Sequence, residues 1–368
     1  MVINNYWWLL IWIMTGGILV GNVIPQEQVS VCGKMEKRYS LFSAIAIFFP
    51  YFLWAGCRND TIGDTWNYRT QFLEAPTLLT EAWSFVAEST KDKGFSLLIV
   101  AIKNLFGNSD LVFFLIIAAF QAICIISVYR KYSCDYWISI FLFVISTDYL
   151  SWMHNGMRQF IAVAGIFACT TLMLKKKYIP LVIVILLLST IHGSALIMLP
   201  IVFIAQGKAW NKRTIVFIVG IVVALAFVDQ FTSIMDVLIS NTQYDNMMTN
   251  EIWTGDDGTN IIRVFVYSIP AILSLVGRKY IEYANDPVVN LSCNMSIVSA
   301  AIYLLSSVTS GIYIGRLPIY CSLYSYILLP WLLKNMFTKN SQRLLYIIMI
   351  GAYMVFFYYQ VHYAWGLL

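Results

Sequence analysis

Charge is scarce in this chain. Asp, Glu, Lys and Arg supply 12% of its 368 residues, about half the share of a soluble domain, and histidine occurs three times. Set against 60% hydrophobic residues, that deficit excludes an ordinary cytosolic domain. The net charge of +5 comes with no long basic run and no nucleic-acid module, so it does not point to DNA or RNA. Seven cysteines are scattered at Cys32, Cys57, Cys124, Cys134, Cys169, Cys293 and Cys321. No two have CxxC or zinc-ligand spacing, which excludes a disulfide framework and a zinc module. In and beside apolar runs, free thiols are small packing residues. GxSxG, HExxH and P-loop motifs are all absent, and no internal repeat stands out.

What is present is a succession of apolar runs of 15–22 residues separated by short polar loops, the pattern of a polytopic helical membrane protein. Spans are expected near 6–24, 40–57, 110–129, 136–150, 159–174, 178–191, 193–206, 213–230, 261–277, 289–308, 317–333 and 344–363. The expected fold is therefore an all-α integral membrane protein of about twelve transmembrane helices, with 1–368 as one transmembrane domain. The run 94–107 is short and carries Lys103, which suits a re-entrant or interfacial helix. The first run lacks a basic segment before it and is too long for a signal-peptide core, so it is expected to remain as a span.

Six loops carry sixteen of the 24 Lys and Arg residues: Lys34/Lys37/Arg38, Arg130/Lys131, Lys175–Lys177, Lys208/Lys212/Arg213, Arg278/Lys279 and Lys334/Lys339/Arg343. All six share one side if 94–107 does not cross, and the positive-inside rule makes that side cytoplasmic. The outer side then holds two long polar segments, 58–93 and 231–260, both with Trp and Tyr and most of the acids, which read as ordered caps. Eight cations are left at the outer side or its border: Arg58, Arg69, Lys91, Lys93, Lys103, Arg158, Arg263 and Arg316.

Four of these stand at the mouths of spans: Arg58, Arg158, Arg263 and Arg316. Arginine inside a bilayer costs about 2.5–3.5 kcal/mol or more unless paired or hydrated, so such positions suggest function. Guanidinium forks from separate helices suit a diphosphate, which they bind bidentately; snorkelling to the interface is the plainer alternative. After Arg58, Asp60 and Asp64 lie within six residues, with Gly63 fit for a tight turn. Either acid is a candidate proton acceptor from a sugar hydroxyl or an orienter of Arg58, against a reading as a simple Asx turn. If the run from Trp152 is helical, His154 and Arg158 share a face, with Gln159 beside them. His192-Gly193-Ser194 interrupts the apolar stretch 178–204, so the chain is expected to turn there, with His192 as a general base or a cap. Thr259 and Asn260 lead into Arg263, after Asp256 and Asp257, which lack partner spacing for a metal. Gly315 and Pro318 flank Arg316, with Tyr313 and Tyr320 as sugar- or lipid-contacting walls or as part of an interfacial aromatic belt.

Taken in order, five motifs resemble those of the Wzy/EpsG-type bacterial polysaccharide polymerases, which build O-antigen, capsule and exopolysaccharide chains. They are R-N-D-T-x-G-D-T-x-x-Y at 58–68, R-Q at 158–159, I-H-G-S-A-L-I-x-L-P at 191–200, G-T-N-x-x-R at 258–263 and the arginine at 316. The resemblance covers roughly 40–335. It implies a glycosyltransferase of the bacterial inner membrane acting on the periplasmic face, where 58–93 and 231–260 would be periplasmic. The implied reaction moves the growing glycan from undecaprenyl diphosphate to the terminal sugar hydroxyl of another lipid-linked repeat unit. No cofactor, metal or nucleotide is expected. The expected partners are the undecaprenyl-diphosphate-linked oligosaccharide, the lipid bilayer and a chain-length regulator in the same membrane. In this reading Arg158, Arg263 and Arg316 hold diphosphate, Arg58 assists or orients Asp64, and His192 or Asp64 activates the acceptor. Asp60, Tyr68, His154, Gln159, Ser194, Tyr313 and Tyr320 position substrate.

Three other classes compete. A different GT-C-like lipid-linked sugar transferase would rely on Asp60 or Asp64 as base. A flippase or transporter would move lipid-linked glycan without chemistry. A membrane O-acyltransferase would also use a histidine, but its donor would come from the cytoplasm, against the outer placement of His192.

Overall fold

The structure, a computed structural model, describes residues 4–24, 26–31, 34–60, 63–78, 80–239 and 258–364. The chain divides into two compact units. One comprises Met1–Leu172, Ile179–Ala195 and Leu333–Leu368; the other comprises Met173–Tyr178 and Leu196–Leu332.

The first unit opens with α1 (Asn4–Val23) and a short antiparallel hairpin, β1 (Glu27–Val31) and β2 (Lys34–Arg38), in which Glu27 faces Arg38 and Val31 faces Lys34. The sequence reading expected only a basic loop here. Alternating residue types in Gln28-Val29-Ser30-Val31 favour extended pairing over a short distance. Next come α2 (Leu41–Gly56), α3 (Thr65–Glu74), α4 (Ala82–Glu88), α5 (Lys93–Phe106) and α6 (Asp110–Tyr132). The hydroxyls of Ser40 and Ser109 accept backbone N–H bonds from Ser43 and Val112, satisfying donors that the first turns of α2 and α6 leave open. Then follow α7 (Tyr136–Ile145), α8 (Thr147–Trp152), α9 (Met157–Ala168), α10 (Thr170–Leu174) and α11 (Tyr178–Ile191). α7 is buried on every side from Ile138 to Ile145, so its all-round apolar sequence marks a core helix. Phe143 stacks on Tyr149 with ring centroids 4.7 Å apart, and Tyr149 lies 5.7 Å from Phe160.

The second unit contains α12 (Met198–Ala205), α13 (Lys212–Ala226), α14 (Val228–Ile239), α15 (Ile261–Val276), α16 (Arg278–Ala284), α17 (Pro287–Ser306) and α18 (Ile319–Ser322), with α19 (Ser325–Met336) leading back to the first unit and α20 (Lys339–Tyr359). α17 is the buried centre of this unit and packs against α12, α13, α15 and α18. Its Asn294 amide donates to the Ala205 and Lys208 carbonyls, each at 3.0 Å, so this buried amide is satisfied inside the protein.

Among the described residues three helices are long and apolar enough to cross a bilayer, Asp110–Tyr132, Pro287–Ser306 and Lys339–Ala364; two bent pairs, Lys212–Ala226 with Val228–Leu238 and Ile261–Val276 with Arg278–Ala284, bring the number to five if each is one span. Several expected spans are instead helices of 10–17 residues. The run 136–150 breaks at Ser146, and the run 159–174 breaks at Cys169. The all-α class therefore holds, while these lengths do not give twelve crossings. Apolar side chains face outward along α11, α13 and α20, including Ile183, Leu187, Val216, Val219, Ile347 and Val355. Apolar surface on that scale belongs in lipid, and the chain is a membrane protein.

Candidate active site

The site in the first unit rests on one apolar cluster. Phe72 of α3, Phe95 and Ile99 of α5, Phe113 and Phe114 of α6, and Met157 and Ile161 of α9 are buried together. This cluster fixes the polar segments between those helices. Two glycines set the close approaches. Gly63 has φ +55° and a Cβ there would fall 1.4 Å from Asn155 Oδ1, the atom that accepts the Asp64 N–H at 2.9 Å. The turn expected at Gly63 thus ties the segment after α2 to the turn before α9. Gly94, in the first turn of α5, lies against Thr190 near the end of α11: a Cβ there would be 2.1 Å from Thr190 Oγ1 and 2.8 Å from its carbonyl carbon.

That approach of α5 to α11 brings Asp92 to His192. α11 ends at Ile191, so the helix breaks at His192 as expected. Nδ1 of His192 lies 3.2 Å from Asp92 Oδ2, and the Gly193 N–H donates to Oδ1 at 3.4 Å. Arg158 Nη1 is 3.0 Å from Oδ2. Burial raises the pKa of Asp92, but the hydrogen bond and charge of His192, then the charge of Arg158, outweigh it and hold the carboxyl below its ordinary value. Asp92 adopts φ 52°, ψ 47°, a left-handed conformation that Asp tolerates better than most residues. A carboxylate accepting from Nδ1–H fixes the imidazole tautomer and leaves the Nε2 lone pair as a base, the orienting role of a triad aspartate.

Tyr68 of α3 lies beside this cluster. Its ring centroid is 5.9 Å from the Arg158 guanidinium carbon, and its hydroxyl donates to the Asn155 carbonyl at 3.0 Å. Arg58 is 5% exposed. Its Nε donates to the Ala55 carbonyl at 2.8 Å, and its guanidinium lies 4.6 Å above the Phe114 ring. Neither Nη1 nor Nη2 has a hydrogen-bond partner among the described residues. Burial lowers the pKa of this group, so an anion supplying charge and acceptors would be strongly favoured at that position.

Other expected residues fall elsewhere. Asp60 is held by Arg69, which also pairs with Asp110 at 2.6 Å. Asp64 is exposed and forms no ion pair among the described residues, so it is not joined to Arg58. His154 does not share a helical face with Arg158: α9 begins at Met157, and His154 is buried in the preceding turn, edge-on to Trp54 at 4.6 Å. Gln159 is buried in α9. Ser194 lies in the 3-10 turn Gly193–Ile197 after His192. Lys103, another cation expected on the outer side, donates to the Phe72, Leu73 and Ala75 carbonyls and closes the end of α3.

The second unit carries the other two arginines, Arg263 and Arg316. Gly258 has φ +76°, and a Cβ there would be 2.6 Å from the Ser307 carbonyl oxygen; Thr259 N–H donates to Ser306 O at 3.0 Å, and the Ser306 hydroxyl donates to Thr259 Oγ1 at 2.7 Å. A Cβ on Gly315 would lie 2.6 Å from Thr259 Oγ1. The motif ending in Arg263 and the one ending in Arg316 therefore pack together. Arg263 lies over Tyr267 and Tyr303 at 5.9 and 6.0 Å, while Arg316 is exposed at the end of the 3-10 turn Ile314–Arg316. Tyr313 precedes that turn and Tyr320 is buried in α18. Among the described residues no three His, Cys, Asp or Glu side chains form a metal-binding group; Asp256 and Asp257 lie outside those residues.

Asp92 and Arg69 were absent from the expected site. Both stood among the charges expected on the outer side, but nothing in Thr90-Lys91-Asp92-Lys93 differs from a solvated loop, and the partner of Asp92 is 100 residues away.

No curated protein and no solved structure matches the chain. The model of the EpsG family matches residues 41–366, a stretch that includes Arg58, Arg158, Arg263, Arg316 and the Asp92–His192 pair, and the chain belongs to the EpsG family.

Proposed function

We propose that the protein is a polysaccharide repeat-unit polymerase of the bacterial inner membrane. It transfers the growing glycan from undecaprenyl diphosphate to the terminal sugar hydroxyl of another lipid-linked repeat unit on the periplasmic face. EpsG family membership supports a role in polysaccharide biosynthesis. The observation that carries the reaction is the presence, within one unit, of an imidazole oriented by Asp92 and of the buried guanidinium of Arg58, whose Nη1 and Nη2 lack partners among the described residues.

The chemistry divides between them. His192 Nε2 takes the proton of the acceptor hydroxyl as its oxygen bonds to the anomeric carbon, while the bond from that carbon to the diphosphate oxygen breaks. Negative charge grows on the departing diphosphate, and Arg58 donates from Nη1 and Nη2 into it, the electrostatic stabilisation that often dominates catalysis. Arg158 keeps Asp92 ionised and lies against Tyr68. The leaving group arrives already activated on the lipid, so neither a nucleotide sugar nor a metal enters the scheme.

Purified protein given a lipid-linked repeat unit is expected to produce a ladder of longer lipid-linked glycans without added metal or nucleotide. His192→Asn is expected to slow the ladder about 10²–10⁴-fold. An authentic substrate that gives no ladder overturns the assignment.

A further inference from the structure

A cavity of about 400 Å³ lies in the first unit, lined by Lys37, Arg38, Arg130 and Lys334 together with Tyr39, Asp135 and Trp137. It is separate from the candidate active site. Arg69 pairs with Asp110 at the start of α6, whereas Arg130 is in its last turn; the 23 residues of α6 span about 34 Å.

Arg130 Nε donates to the Tyr39 carbonyl at 2.9 Å, and Nη2 pairs with Glu27 of β1 at 2.7 Å. The Trp137 indole donates to the Ile13 carbonyl at 2.7 Å, over Gly17, where a Cβ would fall 1.9 Å from the ring. Asp135 Oδ1 accepts the Ile138 N–H and caps α7. Four cations thus converge where the nearby acids are Asp135 and Glu27. They come from three distant parts of the sequence: the hairpin, the end of α6 and the end of α19. Orientation in a membrane needs basic residues near helix ends, but it does not require three basic loops to meet around one concave space.

We propose that this cavity binds a phosphate-bearing anion, either on an anionic lipid headgroup or free in solution. The volume suits a phosphate group, guanidinium and ammonium donors match its oxygens, and basic pockets beside membrane helices are established headgroup sites. The site is independent of the proposed polymerase reaction.

The test uses the full chain in phosphatidylcholine nanodiscs and follows its thermal unfolding midpoint. One arm adds inorganic pyrophosphate; the other includes phosphatidylglycerol in the disc. Every protein tested carries Arg58→Met, which removes the diphosphate contact proposed for the active site; the expected result is a rise of roughly 5 °C in at least one arm, lost when Lys37→Gln/Lys334→Gln is added. A rise with pyrophosphate alone identifies a soluble phosphate as the source, and a rise with phosphatidylglycerol alone identifies the headgroup. No rise in either arm overturns the proposal, as does a rise that survives the double substitution. Should that variant fail to fold, Arg38→Gln takes its place, with phosphatidylglycerol retention by native mass spectrometry as a second readout of the lipid arm.

Discussion

Arg58 and Lys103 are two buried cations of the same unit, both on the side of the sequence where basic residues are unexpected, and the protein treats them in opposite ways. Lys103 is 4% exposed and its ammonium donates to three backbone carbonyls at the end of α3. Its three protons have partners, so the charge serves the fold. Arg58 is 5% exposed, yet both Nη atoms lack a partner among the described residues. A buried charge without compensation costs several kcal/mol, and the apolar cluster around α3, α5, α6 and α9 sustains that cost. Burial alone does not separate structural from functional cations; the state of their hydrogen bonds does.

The largest expected effect tests the Arg58 half of this contrast. Arg58→Met should slow ladder formation about 10²–10³-fold, the usual loss on removing a donor to a developing anion. It should leave the unfolding midpoint unchanged or raise it, because an uncompensated charge is removed. Lys103→Met should do the reverse. It strands three carbonyls and should cost about 2–3 kcal/mol of stability, measured by denaturant unfolding, while the folded fraction keeps a near-normal rate. Loss of stability in Arg58→Met, or loss of rate per folded molecule in Lys103→Met, would break the distinction.

Smaller effects probe how the base is held. Gly94→Ala places a methyl against the backbone of Thr190 and should separate α5 from α11, costing about 1–3 kcal/mol. Since this moves Asp92 from His192, the rate should also fall about tenfold. The smallest effect is on pH dependence. The carboxyl of Asp92 is held below its ordinary value, so its ionised form stabilises the folded protein above about pH 4 and that contribution is lost as pH falls through the lowered pKa. Unfolding midpoints from pH 7 to pH 3 should show a steeper acid-side decline in the wild type than in Asp92→Asn.

The sequence was informative where one physical signal acted alone. Continuous apolar runs located α2, α6 and α11 to within a few residues, and an isolated glycine among polar residues located the turn at Gly63. His192 was visible as a polar break in an apolar stretch. Runs in which an apolar pattern continues through a backbone break were misread, as at Ser146 between α7 and α8, because hydropathy does not register a change of direction. Pairings between distant segments were also hidden. Asp92 meets His192 only because Gly94 lets α5 approach α11, and Asp60 is claimed by Arg69 and Asp110. The sequence grouped Arg58, Arg158, Arg263 and Arg316 as one expected set, whereas the first two lie in one unit and the last two in the other; what distinguishes Arg58 is its unfilled hydrogen-bonding capacity, which depends on the finished fold.

The most direct test of the central claim is a single-turnover ladder assay with purified wild-type and Arg58→Met protein at matched folded concentration and saturating lipid-linked repeat unit. Arg58→Met should have a rate of glycan transfer at least about a hundredfold below wild type with an undiminished unfolding midpoint. Transfer at the wild-type rate would contradict the assignment of Arg58 to the departing diphosphate.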